Sequence, residues 1–400
     1  MAITFNADTT NGAVITSDTS GEIELQANGV TKAKVTANGL QDANGNSLRG
    51  GSFRNLLING DFNVWQRGTS FSPTSALYGA DRFQSLAGGG FNIDSTVTQS
   101  TDVPTGQGFK YSLDIAVDTV QTPTGSNNGG FGQFCETQNF YHLAWGTSNA
   151  KSLTLSFWVK SNKTGTYVCQ FKQNESGTDY YILKEYTINT ADTWEKKIIT
   201  IDGNTSQSFD VSANGDGFRM MWWLASGPDD YATKDVWIAG SGYRATSNQV
   251  NLWDNAANYW RITGTQLEVG SGASDFEFLP YDVQLQRCQR YYYKIASLTS
   301  QGLGCVGFVY NSQVGVMTTT FPVQMRIRPT ALETTGTASD YSIRYLATIT
   351  VSNTPPSFYT ASLQAADVQF YVPSTTLTAG QACMSRAATD SAYLAWSAEL

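Results

Sequence analysis

Bond-breaking chemistry needs a nucleophile, a base or a pair of carboxylates at fixed separation, and the sequence offers few such sets. His142 is the only histidine among 400 residues, so a Ser-His-Asp or Cys-His relay would have to run through it. It sits in FYHLAWG, between aromatic neighbours, and reads as a buried or half-buried structural side chain. No GxSxG elbow, HExxH helix or phosphate-binding loop occurs. Five cysteines, Cys135, Cys169, Cys288, Cys305 and Cys383, show no CxxC spacing and no histidine partner for zinc, and read as reduced, buried small hydrophobes. Glycoside hydrolysis needs only two carboxylates about 5–9.5 Å apart. Asp229 with Asp230, Asp179 with Glu185, and Asp275 with Glu277 are candidates, each in turn-like or alternating sequence where a solvated carboxylate is the ordinary reading. The expectation is no catalytic residue, no metal and no cofactor.

Binding is better supplied than catalysis. Flat aromatic faces stack on sugar C–H surfaces while amides and carboxylates satisfy hydroxyls. In residues 226–260, Tyr231, Trp237, Tyr243 and Trp253 alternate with such groups in a predicted long loop, and these four are the candidate carbohydrate contacts. The alternative is that the rings pack beneath the loop itself. In FRMMWWLAS, Phe218, Met220, Trp222 and Leu224 form one face of a strand and Met221 and Trp223 the other, which suits a strand buried on both sides. Trp65 and Trp158 also read as core. Arg326 and Arg328 alternate with Met325 and Ile327 and are predicted to share one strand face, open to solvent, an acidic lipopolysaccharide or a neighbouring subunit's carboxylates.

The elements that must position these residues are strands. Charged residues are 14% of the chain and aromatics 12%, too few Lys and Glu for long solvent-facing helices. A net charge of -8 is the wrong sign for nucleic acid or an anionic membrane surface. MAITFNADTT has neither a basic nor an apolar signal region and the longest apolar run is about MMWWLA, so no membrane insertion is expected, and synthesis in the cytoplasm without a signal peptide. Residues 1–50 nearly lack aromatics and carry Asn-Gly at 11–12, 28–29, 38–39 and 44–45, the preferred pair for tight hairpin turns. Such a polar ladder cannot bury a core alone and needs partners, most simply copies of itself. After the Gly-rich RGGSF, strands such as KSLTLSFWVKS and TWEKKIITID recur at spacings near ten residues, which argues for a β-sandwich or jelly roll. Asp282 is predicted to N-cap a short helix bearing Leu285 and Cys288, and the remainder returns to strands. The predicted fold is mainly β: an N-terminal β-ladder over 1–50, a jelly-roll β-sandwich over 51–281, a helical connector over 282–294 and a C-terminal β-domain over 295–400.

Five stretches in order, NLLINGDFNVWQRGTSF, YGADRF, SLTLSFWVKSNKTGTY, WRITGTQLEVGSGASDFEFLPYDVQLQRCQRYYYK and FPVQMRIRPTAL, resemble the virion proteins of tailed bacteriophages, above all tail fibres. The resemblance covers roughly residues 55–330. It implies a homotrimer, anchored to other phage tail or virion proteins through the N-terminus, whose distal domains adhere to host surface glycans. A purely structural virion part is the alternative, and a glycan depolymerase a further one. The frame of NLLINGDF and TGTQLEV also resembles jelly-roll carbohydrate-binding modules, which often hold a structural calcium. Asn63 stands where that family carries Glu, which weakens the implied calcium, although Asp61 and Glu268 could supply oxygen ligands.

Overall fold

The structure, a computed structural model, describes residues 21–36, 39–42, 53–73, 76–175, 177–209, 211–373 and 377–400. The predicted turns at 11–12 and 44–45 and the joint before Phe53 lie outside them. Strands β1 (Ile23–Ala27), β2 (Val30–Thr36) and β3 (Gly39–Asp42) form an antiparallel sheet. At its first hairpin Asn28 and Gly29 have φ of 54° and 72°, the left-handed pair that a type I′ turn requires. The register sets Ile23 opposite Val35 and Val35 opposite Leu40, so one face is apolar. On that face Leu25, Val35 and Leu40 are exposed. On the other, Lys34 bridges Glu22 and Glu24 at 3.3 and 3.0 Å.

The middle region contributes β4 (Ser70–Phe71), β5 (Leu77–Tyr78), β6 (Phe83–Gly88), β7 (Ser95–Ser100), β8 (Ser112–Val117), β9 (Asn128–Glu136), β10 (Leu153–Ser161), β11 (Gly165–Gln173), β12 (Asp179–Ile188), β13 (Glu195–Ile201), β14 (Asp216–Ser226), β15 (Ile238–Gly240) and β16 (Tyr259–Val269). They make two antiparallel sheets, β13-β10-β16-β8-β7-β4 and β15-β12-β11-β14-β9-β6-β5. Phe62, Phe83, Phe131, Phe157, Trp222 and Trp260 fill the space between them, with Phe83 and Phe131 stacked at 5.3 Å. Strict alternation in β10 buries Leu153, Leu155, Phe157 and Val159 and turns Trp158 to the other face, where it is half-buried. Trp158 is therefore not core, whereas Trp65 is. The opening and closing stretches lie side by side: Leu56 N donates to Leu267 O at 2.8 Å and Thr265 N to Gly60 O at 2.9 Å.

Near this frame Asp81 is fully buried and accepts from Gln66 N at 2.8 Å and from Gln66 Nε2. Burial pushes its carboxyl up to about 6, against the pull of those bonds. Because the folded pKa exceeds the unfolded value of roughly 4, the native state binds the proton more tightly, and stability falls as pH rises from about 4 to about 6. Urea unfolding of the protein minus that of Asp81→Asn is expected to decline across this window, by up to about 3 kcal/mol. A flat difference would contradict it.

Helix α1 (Tyr281–Gln289) follows. Its N-cap is Pro280 and not Asp282, which lies in the first turn, where a carboxylate suits the helix dipole but caps nothing. Cys288 is buried and Leu285 half-buried against Ile58, Val64 and Tyr291. The C-terminal region holds β17 (Tyr292–Ala296), β18 (Gly302–Asn311), β19 (Val314–Thr320), β20 (Glu333–Thr334), β21 (Tyr341–Tyr345), β22 (Thr348–Val351), β23 (Thr354–Ala361), β24 (Ala365–Tyr371), β25 (Ala382–Ala387) and β26 (Tyr393–Ser397). Its sheets β17-β26-β20 and β22-β21-β25-β18-β19-β24-β23 enclose Met317, Met325, Tyr341, Phe370, Leu394 and Trp396. The stretch FPVQMRIRPTAL is not a strand, since Pro322 and Pro329 withhold two ladder donors. The two arginines do not share a face: Arg328 is exposed, while Arg326 is buried and donates to Asn214 O and Ala398 O, each at 2.7 Å, and to Glu399 O. All five cysteines are free and buried. Among the described residues no helix is long and apolar enough to cross a membrane.

Candidate functional site

The four aromatic residues singled out in the sequence do not converge. The segment between β14 and β16 is not one long loop; it docks onto the sandwich through a 3-10 turn (Pro228–Asp230), β15 and a second turn (Leu252–Asp254). Trp253 is 1% exposed, edge-on to Phe91 at 5.2 Å, with Nε1 donating to Ser95 Oγ at 3.0 Å. It is core and offers no face to a sugar. Trp237 is half-buried against Trp145, its Nε1 on Asp202 O at 3.0 Å. Tyr231 donates to Ser226 O at 3.2 Å and packs on Val168, Leu183 and Ala245. Tyr243 sits edge-on to Tyr181 at 5.9 Å, and its carbonyl accepts from Gln170 Nε2. Of the four, Tyr243 alone stands beside the groove described next.

That groove lies on the outer face of the seven-stranded sheet. Alternation in β14 sends Phe218, Met220, Trp222 and Leu224 into the core and Arg219, Met221 and Trp223 to the other side. The register then builds rows across strands: Tyr181, Lys172, Arg219 and Phe134 in one, Gln170, Met221 and Gly132 in the next, Val168, Trp223, Gly130 and Leu86 in a third. Gly130 and Gly132 leave β9 bare exactly where it is needed by its neighbours: a Cβ on Gly130 would meet the Trp223 ring at 2.6 Å, and one on Gly132 the Met221 sulfur at 2.3 Å. Of these, Tyr181, Lys172, Arg219, Gln170, Met221, Trp223 and Leu86, together with Asn128, Gly242 and Arg244, line a groove of about 190 Å³. This is below the roughly 300–1,000 Å³ of drug-sized small-molecule pockets, so the site is small.

Ion pairs set its electrostatics. Lys172 meets Asp179 at 2.7 Å, Arg219 meets Asp216 at 2.5 Å, and Arg244 meets Asp230 at 2.7 Å. Asn128 Nδ2 also donates to Asp230, at 2.8 Å. Burial raises the Asp216 carboxyl, with Arg219 pulling the other way, and raises that of Asp230 against Arg244 and Asn128. Burial lowers the Lys172 ammonium, and the neighbouring Arg219 charge lowers it further while Asp179 opposes. Burial and the nearby Asp179 push the Tyr181 phenol up to about 12. Trp223 Nε1 is buried and has no hydrogen-bond partner among the described residues.

The other residues with chemical potential are engaged. His142 is exposed on a 3-10 turn (Tyr141–Leu143), not buried, because Phe140 and Leu143 turn inward beside it. It borders a cavity of about 420 Å³ next to α1. There, burial pushes Glu136 up but Arg290, twice at 2.7 Å, and Tyr291 Oη, at 2.5 Å, hold it below the usual carboxylate range. Glu185 accepts from Lys234, Thr246 and Asn248, and Glu277 from the amides of Phe53 and Asn55. At the frame, Glu268 accepts from Ser274 N at 2.7 Å and Ser274 Oγ at 2.8 Å, and Asp61 from Asn63. Among the described residues no three His, Cys, Asp or Glu side chains group as metal ligands.

No family model matches the chain, and no curated relative matches it. Similar solved structures include the enzymatically active domain of tailspike protein 4 of bacteriophage CBA120, at 15% identity and TM-score 0.30, covering 54% of this chain and 21% of that one. The family 11 carbohydrate-binding module of Clostridium thermocellum, in complex with a β-1,3-1,4-mixed-linked tetrasaccharide, is 14% identical at TM-score 0.25, covering 50% and 96%. The N-terminal tandem of CBM22 modules from Paenibacillus barcinonensis Xyn10C is 10% identical at TM-score 0.27, covering 88% and 98%.

Proposed function

We propose that the chain is a non-catalytic, tail-fibre-like virion protein that adheres to host surface glycans through the outer groove of its jelly roll. The observation that carries this reading is a small groove where amides and cations converge on a rigid sheet and no carboxylate forms the lining. Hydrolysis of a glycosidic bond would need two carboxylates flanking it. Adhesion by many weak contacts multiplied across copies suits a small site. The test is a glycan array probed with the full chain, beside an assay for sugar released from bacterial envelope. Binding without release is expected; release would favour a depolymerase, and absence of both would leave a structural virion role.

Self-association belongs to the same proposal. A three-stranded sheet with one apolar face needs that face covered, and Leu25, Val35 and Leu40 are 52%, 41% and 45% exposed. The outer row Val306, Met384, Arg344 and Ile349 of the C-terminal sheet, with Phe308 next to it, adds a second largely apolar face. We assign the first face to copies of this chain, as a homotrimer attached through its N-terminal region to other virion proteins and synthesised in the host cytoplasm. Light scattering is expected to give a trimer that Val35→Glu dissociates. A full-length monomer would refute the assignment.

A further inference from the structure

We infer that the glycan taken by this groove is anionic, carrying carboxylate, sulfate or phosphate groups on its sugars; the inference rests on the groove being the glycan site. The chain has 33 acidic and 25 basic residues, yet the lining holds Lys172, Arg219 and Arg244 and no carboxylate. Two of these cations are direct cross-strand partners, Lys172 opposite Arg219, on one face of the sheet. Like charges so placed repel, and each is held in place by its own carboxylate, Asp179 and Asp216.

The carboxylates that pair with these cations, Asp179, Asp216 and Asp230, lie outside the lining. Asp230 is 3% exposed and Asp216 19%, whereas the Arg244 and Arg219 side chains are 30% and 32% exposed, so at these two pairs the positive end is what a ligand meets; at the third, Asp179 is 28% exposed and Lys172 13%. Arg244 uses Nη1 on Asp230 and on Gly242 O at 3.0 Å, which leaves Nε and Nη2 without a protein partner among the described residues. A guanidinium presents five N–H donors, and its unused edge fits a planar or tetrahedral anion. Ring stacking is the usual route to a neutral sugar, and here it is obstructed. Trp223 and Tyr181 are 4% and 6% exposed, with Arg244 over the first ring at 5.7 Å and Lys172 Nζ over the second at 5.5 Å. The rings form a floor beneath the charges.

The experiment compares binding of the full chain to polygalacturonate, dextran sulfate, a phosphate-bearing teichoic acid and neutral dextran, at low and high salt. At least one acidic polymer is expected to bind about tenfold or more tighter than dextran, with affinity falling as salt rises. Lys172→Gln/Arg219→Gln should lose about tenfold toward that polymer at unchanged circular dichroism, while Lys196→Gln, an exposed lysine on the opposite sheet, should not. Which acidic polymer binds separates carboxylate from sulfate and phosphate. Equal affinity for dextran and the acidic polymers, or a double variant that binds as the parent does, would overturn the inference and leave glycan binding standing. Failure to bind any polymer, or any glycan on an array, would overturn both.

Discussion

Glu399→Ala is expected to lower unfolding stability by about 3–5 kcal/mol, because it leaves a buried arginine without its counter-charge. Arg82 is 1% exposed and Glu399 5%, and the two are in direct contact. Arg82 also donates to Phe134 O at 2.5 Å and lies 3.5 Å from the centre of the Tyr291 ring, while Arg67 reaches Glu399 at 3.3 Å. Arg326 holds the carbonyls of Ala398 and Glu399, and Tyr78 donates to Leu400 O at 2.7 Å. One acidic side chain thus ties the C-terminal sandwich to β6 and β9 of the jelly roll. Two measurements check this: the urea midpoint should fall, and limited proteolysis should open the chain around α1. A shift below about 1 kcal/mol with no new cleavage would show that the ion pair is no tie. Removing both charges with Arg82→Met/Glu399→Leu should recover much of the loss, since apolar replacement of a whole buried pair is often neutral.

Trp223→Ala is expected to cost about 3–5 kcal/mol and to abolish detectable glycan binding. Its ring is the groove floor, lies over the bare Gly130, and packs with Phe134, Met221, Leu86 and Leu400. Without it Arg244 loses the surface it lies on, and the shape of the site goes with it. Trp158→Ala makes the control, because Trp158 is only half-buried on the outer side of the other sheet, and binding should survive there. Chemical denaturation and array binding of both variants check the pair. Retained binding by folded Trp223→Ala would place the glycan elsewhere.

Local pattern made most of the fold legible. Alternation in KSLTLSFWVKS gave a strand, although Trp158, read as core, faces outward; Asn28-Gly29 gave the hairpin, and the i, i+3 pair Leu285 and Cys288 gave the buried side of α1. The groove was not legible, for a physical reason. FRMMWWLAS is apolar on both faces, so Trp223 read as core; it is covered, but by Arg244 and Leu400, which arrive from distant sequence. The signal that could have found it is NNGGFGQF, where Gly130 and Gly132 at two-residue spacing clear one face of a strand for large neighbours. Trp253 misled in the opposite sense. Its polar surroundings suggested an open loop, while Asn251 caps a short turn that drives the ring into the core. Alternation also misled at Arg326 and Arg328, where flanking prolines outweighed a two-residue period.

The most direct test of the central claim is a crystal structure of the full chain with the oligosaccharide that it binds best on an array. The prediction is sugar density in the outer groove, with hydrogen bonds from Arg244, Arg219 or Lys172 above the floor of Met221 and Trp223. Density on any other surface, with the groove filled only by water, would contradict it.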